Sequence, residues 1–168
     1  MPLLQIETQL QHGEAIDDWL QNNEWDTVAI FDIDCIPLAT IEEAIKYALL
    51  DHIYGAAQHA NHIRNSIIYA SPAFIVLSKE TYEKLYKPSF KATNKGDVGA
   101  EITIHAHRFG VPVKLIWPTH VENPKWDLGR ESCFGHGTTY DNKIYHAFES
   151  RMGNDKIFVR KCKEVLAK

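Results

Sequence analysis

The chain has 168 residues, 45% of them hydrophobic and 24% charged, with a formal net charge of -4. That length suits one globular domain over residues 1–168, and the composition excludes a disordered chain. The mild acidity gives no field for gathering phosphate backbones, so nucleic acid is not an expected partner.

At the N-terminus, MPLLQIETQLQ offers one short strand and carries no basic, apolar leader. Ile16, Trp19 and Leu20 then recur at helical spacing between Glu14 and Gln21, and Thr27 to Phe31 reads as a buried strand of β-branched and aromatic type. After Pro37, Thr40 and Glu43 form a capping-box pattern, and Ile41, Ala44, Ile45, Ala48 and Leu49 make a helical stripe. GAAQHANHIRN, from Gly55 to Asn65, has no useful period and reads as a loop. Two strands, Ile67 to Ala70 and Ala73 to Leu77, flank Ser71-Pro72, and Ser78 is placed to cap a short helix from Lys79 to Leu85.

The loop KPSFKATNKG leads to Asp97, behind which Ile102, Ala106 and Phe109 form the stripe of a helix that Gly110 ends. Val113 to Trp117 is a strand, residues 118–143 read mostly as loop, and Phe158, Cys162 and Val165 give a closing helix its apolar face. Strands alternating with helices predict a three-layer α/β/α sandwich on a mainly parallel sheet. No segment is long and apolar enough to span a bilayer, and Cys35, Cys133 and Cys162 fit neither a disulfide framework nor a zinc site. A soluble protein of a reducing cytoplasm is therefore expected.

The chemistry gathers at VAIFDIDCIPL, residues 28–38. If the strand ran on, Asp32 and Asp34 would share a face, since alternate side chains of a strand point the same way. Two carboxylates that close repel and are costly to desolvate unless a cation joins them, and hard oxygen ligands suit Mg2+ or Mn2+. An isolated pair two residues apart equally fits one aspartate capping a turn and one solvated. Apolar residues on both sides leave the carboxylates few solvated options.

Together with HGEAIDDWL, GAAQHANHIRN, YASPAFIVLSK, GDVGAEIT, WPTHVENPKW and GTTYDNKIYHAFESR, this core resembles a family of GT-A-type glycosyltransferases with a DIDxIPL motif, from about residue 12 to residue 151. The resemblance implies a UDP- or GDP-sugar donor whose diphosphate is held by Mn2+ or Mg2+ on Asp32 and Asp34, with His146 as third ligand and an acceptor of unknown kind. Asp32 is thereby also a donor-binding residue. The resemblance also implies an acidic residue near Asp97 and Glu101 as base toward the acceptor, and those two would lie on one helix face at i and i+4. Asp97 suits a helix N-cap equally well. Gln58, Asn61 and His62 are candidates for orienting sugar hydroxyls or are solvated loop residues. Gly135, Gly137, Thr138 and Thr139 suit close approach to phosphate or a simple turn. Trp117 and Trp126 suit a sugar-stacking wall or the core, and His146 suits a half-buried structural histidine as well as a ligand.

Only 31 residues precede Asp32, which points to a donor held mostly through diphosphate and metal. Two other readings stay open. Asp32 to Ile36 resembles the DxDx(T/V) opening of haloacid-dehalogenase-type phosphatases, with Asp32 as nucleophile and GDVGAEITIHAHRFGVPV as their later acidic helix. A non-catalytic nucleotide-binding accessory protein is the other.

Overall fold

In the computed structural model, residues 4–150, 153 and 155–167 are described. Residues 4–11 form no strand; the first three residues of the expected N-terminal strand, and Arg151 of the GTTYDNKIYHAFESR block, lie outside the described residues. Helix α1 spans His12–Asn22 and buries Ile16 and Leu20, the apolar residues one turn apart. Strand β1, Thr27–Phe31, follows, and a short turn leads into β2, Cys35–Pro37. Helix α2, Glu42–Ala48, buries Ala44 and Ala48. Its expected capping box does not form: Ile41 is the N-cap and no side chain caps the helix.

Two stretches expected as loop or as broken strand are continuous strands. Strand β3, Ile53–His59, takes in the first part of the segment read as a loop, where the small residues Ala56 and Ala57 are wholly buried, while residues 60–65 form a turn as expected. Strand β4, Ile68–Ser78, runs straight through Ser71-Pro72. The β3–β4 register shifts between Gly55 and Ala56, from Gly55 opposite Ile75 to Ala56 opposite Ser71. Pro72 falls in that irregularity, where a residue without an N–H costs the ladder nothing. Ser78 then caps α3, Lys79–Lys84, accepting from Thr81 N at 3.1 Å as expected. Helix α4, Ala100–Phe109, ends at Gly110 in the left-handed region, also as expected.

Strand β5 is Val113–Ile116. Residues 118–143 are not mostly loop: they hold β6, Pro118–Gly129, and β7, Ser132–Tyr140, joined by a tight hairpin. Prolines and charges hide β6, yet β6 pairs with β7 alone and its register shifts beside Pro118 and Pro124. An edge strand with bulges tolerates both prolines and a wet face. Strand β8, Ile144–His146, returns beside β7, and α5, Asp155–Leu166, closes the described chain with Phe158, Cys162 and Val165 only half-buried.

The strands form two four-stranded sheets, ordered β1-β4-β3-β5 and β2-β8-β7-β6. Only β3 and β5 run parallel; every other pairing is antiparallel. The protein is thus α/β, but a mainly parallel GT-A-like sandwich is not what it builds. The physical reason lies in the connections: the β6–β7 hairpin and the short β7–β8 link cannot make parallel neighbours, which need a long crossover.

The first sheet is buried on both faces. Alternate residues of β4 enter opposite cores: Ile75 and Leu77 join Ile16, Leu20, Tyr82, Phe90 and Ile102, while Phe74 and Val76 join Tyr54, Ile116, Phe134, Tyr140 and Phe148. The second core is where α2 and the second sheet meet the first sheet, so a sheet occupies much of the layer expected to hold helices.

Candidate metal centre

Asp32 and Asp34 flank the turn that carries the chain from the edge of one sheet to the edge of the other. Cys35 N donates to Asp32 O at 3.0 Å, closing that turn, and Ile33 at its tip is 71% exposed. The carboxylates therefore converge by a turn, and the strand-pleat geometry expected from their spacing does not apply. The two apolar runs around them become β1 and β2, which are half-buried apart from exposed Pro37, and the turn's tip stands in solvent.

His146 arrives by strand pairing. Strand β2 sets Cys35 opposite His146 on β8, and Ala147 N donates to Asp34 O at 3.0 Å just beyond that pair. His146 Nε2 lies 3.0 Å from Asp34 Oδ1 and 3.7 Å from Asp32 Oδ2. One ligand atom from each of Asp32, Asp34 and His146 lies within 4.8 Å of the others. Ligand atoms on one ion at about 2.1 Å each are at most roughly 4.2 Å apart, so small side-chain movements seat all three. The imidazole stacks on Phe148 at 3.7 Å, and its buried Nδ1 has no partner among the described residues.

Asp34 is nearly buried, and burial alone pushes its carboxyl up. The hydrogen bond and charge of His146, with the Ser150 N–H 3.3 Å from Oδ2, outweigh this and lower it to about 2. It is thus ionised at any ordinary pH, which an oxygen ligand to a metal requires. Burial, then the charges of Asp32 and Asp34, push the Cys35 thiol well up, so that thiol is inert. The residues present, two carboxylate oxygens and an imidazole, could hold a divalent cation.

Other expected site residues fall elsewhere or do other work. Asp97 is not on α4: it precedes the N-cap Gly99, and its Oδ1 accepts from Val98 N at 2.9 Å, so neither the cap nor the i, i+4 helix face with Glu101 exists. Glu101 accepts from Thr93 Oγ1 at 2.9 Å and lies 3.9 Å from His105. Burial raises the Tyr69 phenol far above its ordinary value, and the charges of Asp97 and Asp32 raise it further. Two carboxylates 65 positions apart in sequence, one of them in the centre, thus bear on one buried phenol.

Gln58 accepts from Ser71 Oγ across β3 and β4. Asn61 donates to Asp127 O and accepts from Asp127 N, both at 2.8 Å, stitching the end of β3 to β6. His62 is exposed. None of these three is hydrogen-bonded to Asp32, Asp34 or His146. Gly137 takes φ +72 within β7, where a Cβ would lie 2.7 Å from the Glu122 side chain. Thr138 is wholly buried and bonds both the O and the N of Gly135, at 2.7 and 2.9 Å. This cluster is strand backbone at close quarters, with Thr138 opposite His146 in the β7–β8 register. Trp126 packs on Phe134 and Phe148 with ring centroids 5.2 and 5.6 Å away, and Trp117 borders the same core.

The contact that sequence reasoning missed is His12, whose Nε2 lies 2.9 Å from Asp32 Oδ1. No local pattern marks it, because the contact depends on how α1 docks. Comparison with known proteins adds no relative: no family model, curated protein or solved structure matches the chain.

Proposed function

We propose that the chain is a metal-dependent glycosyltransferase that moves a sugar from a nucleotide-diphosphate donor, UDP- or GDP-linked, to an acceptor hydroxyl. The observation that carries the reading is the convergence of Asp32, Asp34 and His146, residues up to 114 positions apart, at the seam of two sheets. Three protein ligands leave about half of an octahedral shell for water and for the oxygens of a diphosphate. When bound there, Mn2+ or Mg2+ supplies Lewis-acid neutralisation of the charge that builds on the departing diphosphate.

The chain's own residues divide the remaining work. With no ion bound, Asp34 is held ionised by His146 and Ser150 N–H. With one bound, the His146 Nε2 lone pair would turn to the ion and leave Ser150 N–H to orient this oxygen ligand, with Asp32, one-quarter exposed, beside it. Asp97 is the better candidate for the base that takes the acceptor proton, since its charge, like that of Asp32, reaches the Tyr69 phenol. Glu101 already serves Thr93 and sits beside His105. Among the described residues no helix is long and apolar enough to cross a membrane, and the three cysteines are unpaired, which supports a reducing, cytoplasmic setting.

Thermal melting tests this. Mn2+ is expected to raise Tm, UDP- or GDP-sugar to raise it further only with the metal present, and Asp34→Asn to remove both shifts. Absence of any Mn2+ shift in the wild type would refute the centre. A metal shift with no nucleotide-sugar effect, accompanied by p-nitrophenyl phosphate turnover that Asp32→Asn abolishes, would replace the transferase by a phosphatase.

A further inference from the structure

We infer that His12 is a positioning residue of this centre, holding the Asp32 carboxylate in the pose that binds the ion; the inference rests on the metal reading above. Asp34 is oriented by Ser150 N–H at 3.3 Å from Oδ2 and, until an ion takes the His146 nitrogen, by that imidazole at 3.0 Å from Oδ1. Asp32 has less to orient it. It lies just past the end of β1, its side chain is 25% exposed, and His146 reaches it at 3.7 Å, beyond hydrogen-bonding distance. Among the described residues, His12 makes the one contact of hydrogen-bond length to that carboxylate, at 2.9 Å to Oδ1. The two oxygens of Asp32 are thereby divided: Oδ1 faces His12 and Oδ2 faces His146 and the centre.

His12 can hold a fixed pose because the helix that carries it is pinned. It is the first residue of α1. The next residue, Gly13, sits so close to the backbone of residues 90 and 91 that a Cβ there would lie 2.7 Å from Phe90 O. One turn on, buried Asp17 accepts from Phe90 N at 2.8 Å and from Ser89 Oγ. Ile16 and Leu20 anchor the same helix in the first core. The imidazole is therefore presented from a rigid element, while its own side chain is 41% exposed and adds little to the core.

With His12 Nε2 2.9 Å from Oδ1, that oxygen is turned toward α1, which leaves the opposite oxygen of the carboxylate for the metal. His12 is not itself within the group of mutually close ligand atoms, so it belongs behind the ligand, outside the coordination shell. Groups that orient a ligating side chain in this way change metal affinity by about 10- to 100-fold when removed.

The test is Mn2+ affinity by titration calorimetry, with Mn2+ electron paramagnetic resonance as a second readout. It uses the full chain as wild type, His12→Ala, His12→Gln and Asp34→Asn. Wild-type binding that Asp34→Asn abolishes establishes the centre. The expected result is then a Kd weakened about 10- to 100-fold in His12→Ala and largely recovered in His12→Gln, whose amide can still donate, with Tm in chelator unchanged in both. An equal Kd for wild type and His12→Ala, or no recovery in His12→Gln, overturns the role of His12 and leaves the centre standing. A wild type that binds no Mn2+ overturns the centre and this role together.

Discussion

Replacing Asp34 by asparagine removes one charge from a nearly buried position and keeps the size of the side chain. In the folded chain that carboxyl sits at about 2, against an ordinary 3.8, because His146 and Ser150 outweigh the upward push of burial. At 1.36 kcal/mol per pH unit the difference makes ionised Asp34 worth about 2 kcal/mol of stability at neutral pH. The sign follows from a lowered value: the contribution is fully present above the unfolded value and is lost as pH falls through the folded one. Nearly all of it survives at pH 5, roughly half at pH 3 and little at pH 2. Urea unfolding of wild type and Asp34→Asn in chelator, at steps from pH 7 to pH 3, reads the difference between the two proteins directly. Effects of titrating groups that do not touch residue 34 cancel in that difference, so it reads Asp34 together with its partner His146. A gap that stays flat across the window, or a variant as stable as wild type at pH 7, would refute the reasoning.

Two further substitutions separate structural from functional roles. Asn61→Ala removes both bonds to the Asp127 backbone and is expected to cost on the order of 2 kcal/mol in urea midpoint analysis while leaving Mn2+ affinity unchanged. A loss of metal or donor binding without loss of stability would restore Asn61 to the site. Phe134→Ala empties a fully buried position against Trp126 and Phe148 and is expected to cost about 3–5 kcal/mol. Because Phe148 backs the His146 ring, Mn2+ binding should weaken in the same variant; a cost below about 1 kcal/mol would show that the second core repacks around the gap.

The acidic pair was legible because two carboxylates between apolar runs have few cheap explanations, yet the geometry that unites them was not. Their spacing suggests a pleat, whereas a turn closed by Cys35 N onto Asp32 O does the work. His146 came into view only through the likeness of GTTYDNKIYHAFESR to a family block, since nothing local links a histidine to an aspartate 112 positions earlier. His12 opens the HGEAIDDWL block, yet nothing there ties it to Asp32, as its place depends on the Asp17 to Phe90 clamp. The second sheet was hidden for a different reason. Its outer strand carries Pro118, Pro124 and alternating charge, the marks of a loop, and its hairpin turns on Arg130 and Glu131, both at positive φ, where Asn-Gly would have announced it. Strand β3 was masked by small residues, since Gly55, Ala56 and Ala57 are what close neighbours allow and also what loops contain.

The seam position of the centre has a mechanical consequence. Strands β1 and β2 are each edge strands with a single partner, β4 and β8, and the turn at Asp32 to Asp34 joins the two sheets at those edges. The β2–β8 ladder is only three residues long, Cys35 to Pro37 against Ile144 to His146, and is extended by Ala147 N on Asp34 O. A cation shared by Asp32, Asp34 and His146 would therefore tie the last residue of β8 to the turn that enters β2, reinforcing a short ladder at its end. Binding to the folded chain alone stabilises it by RT ln(1 + [L]/Kd), and here that energy falls on the pairing that positions the ligands. Metal occupancy and docking of the second sheet are thus coupled: whatever loosens β8 should weaken the ion, and the ion should in turn protect the amides of Ile36, Tyr145 and Ala147 from exchange more than those of β3, which lies inside the other sheet.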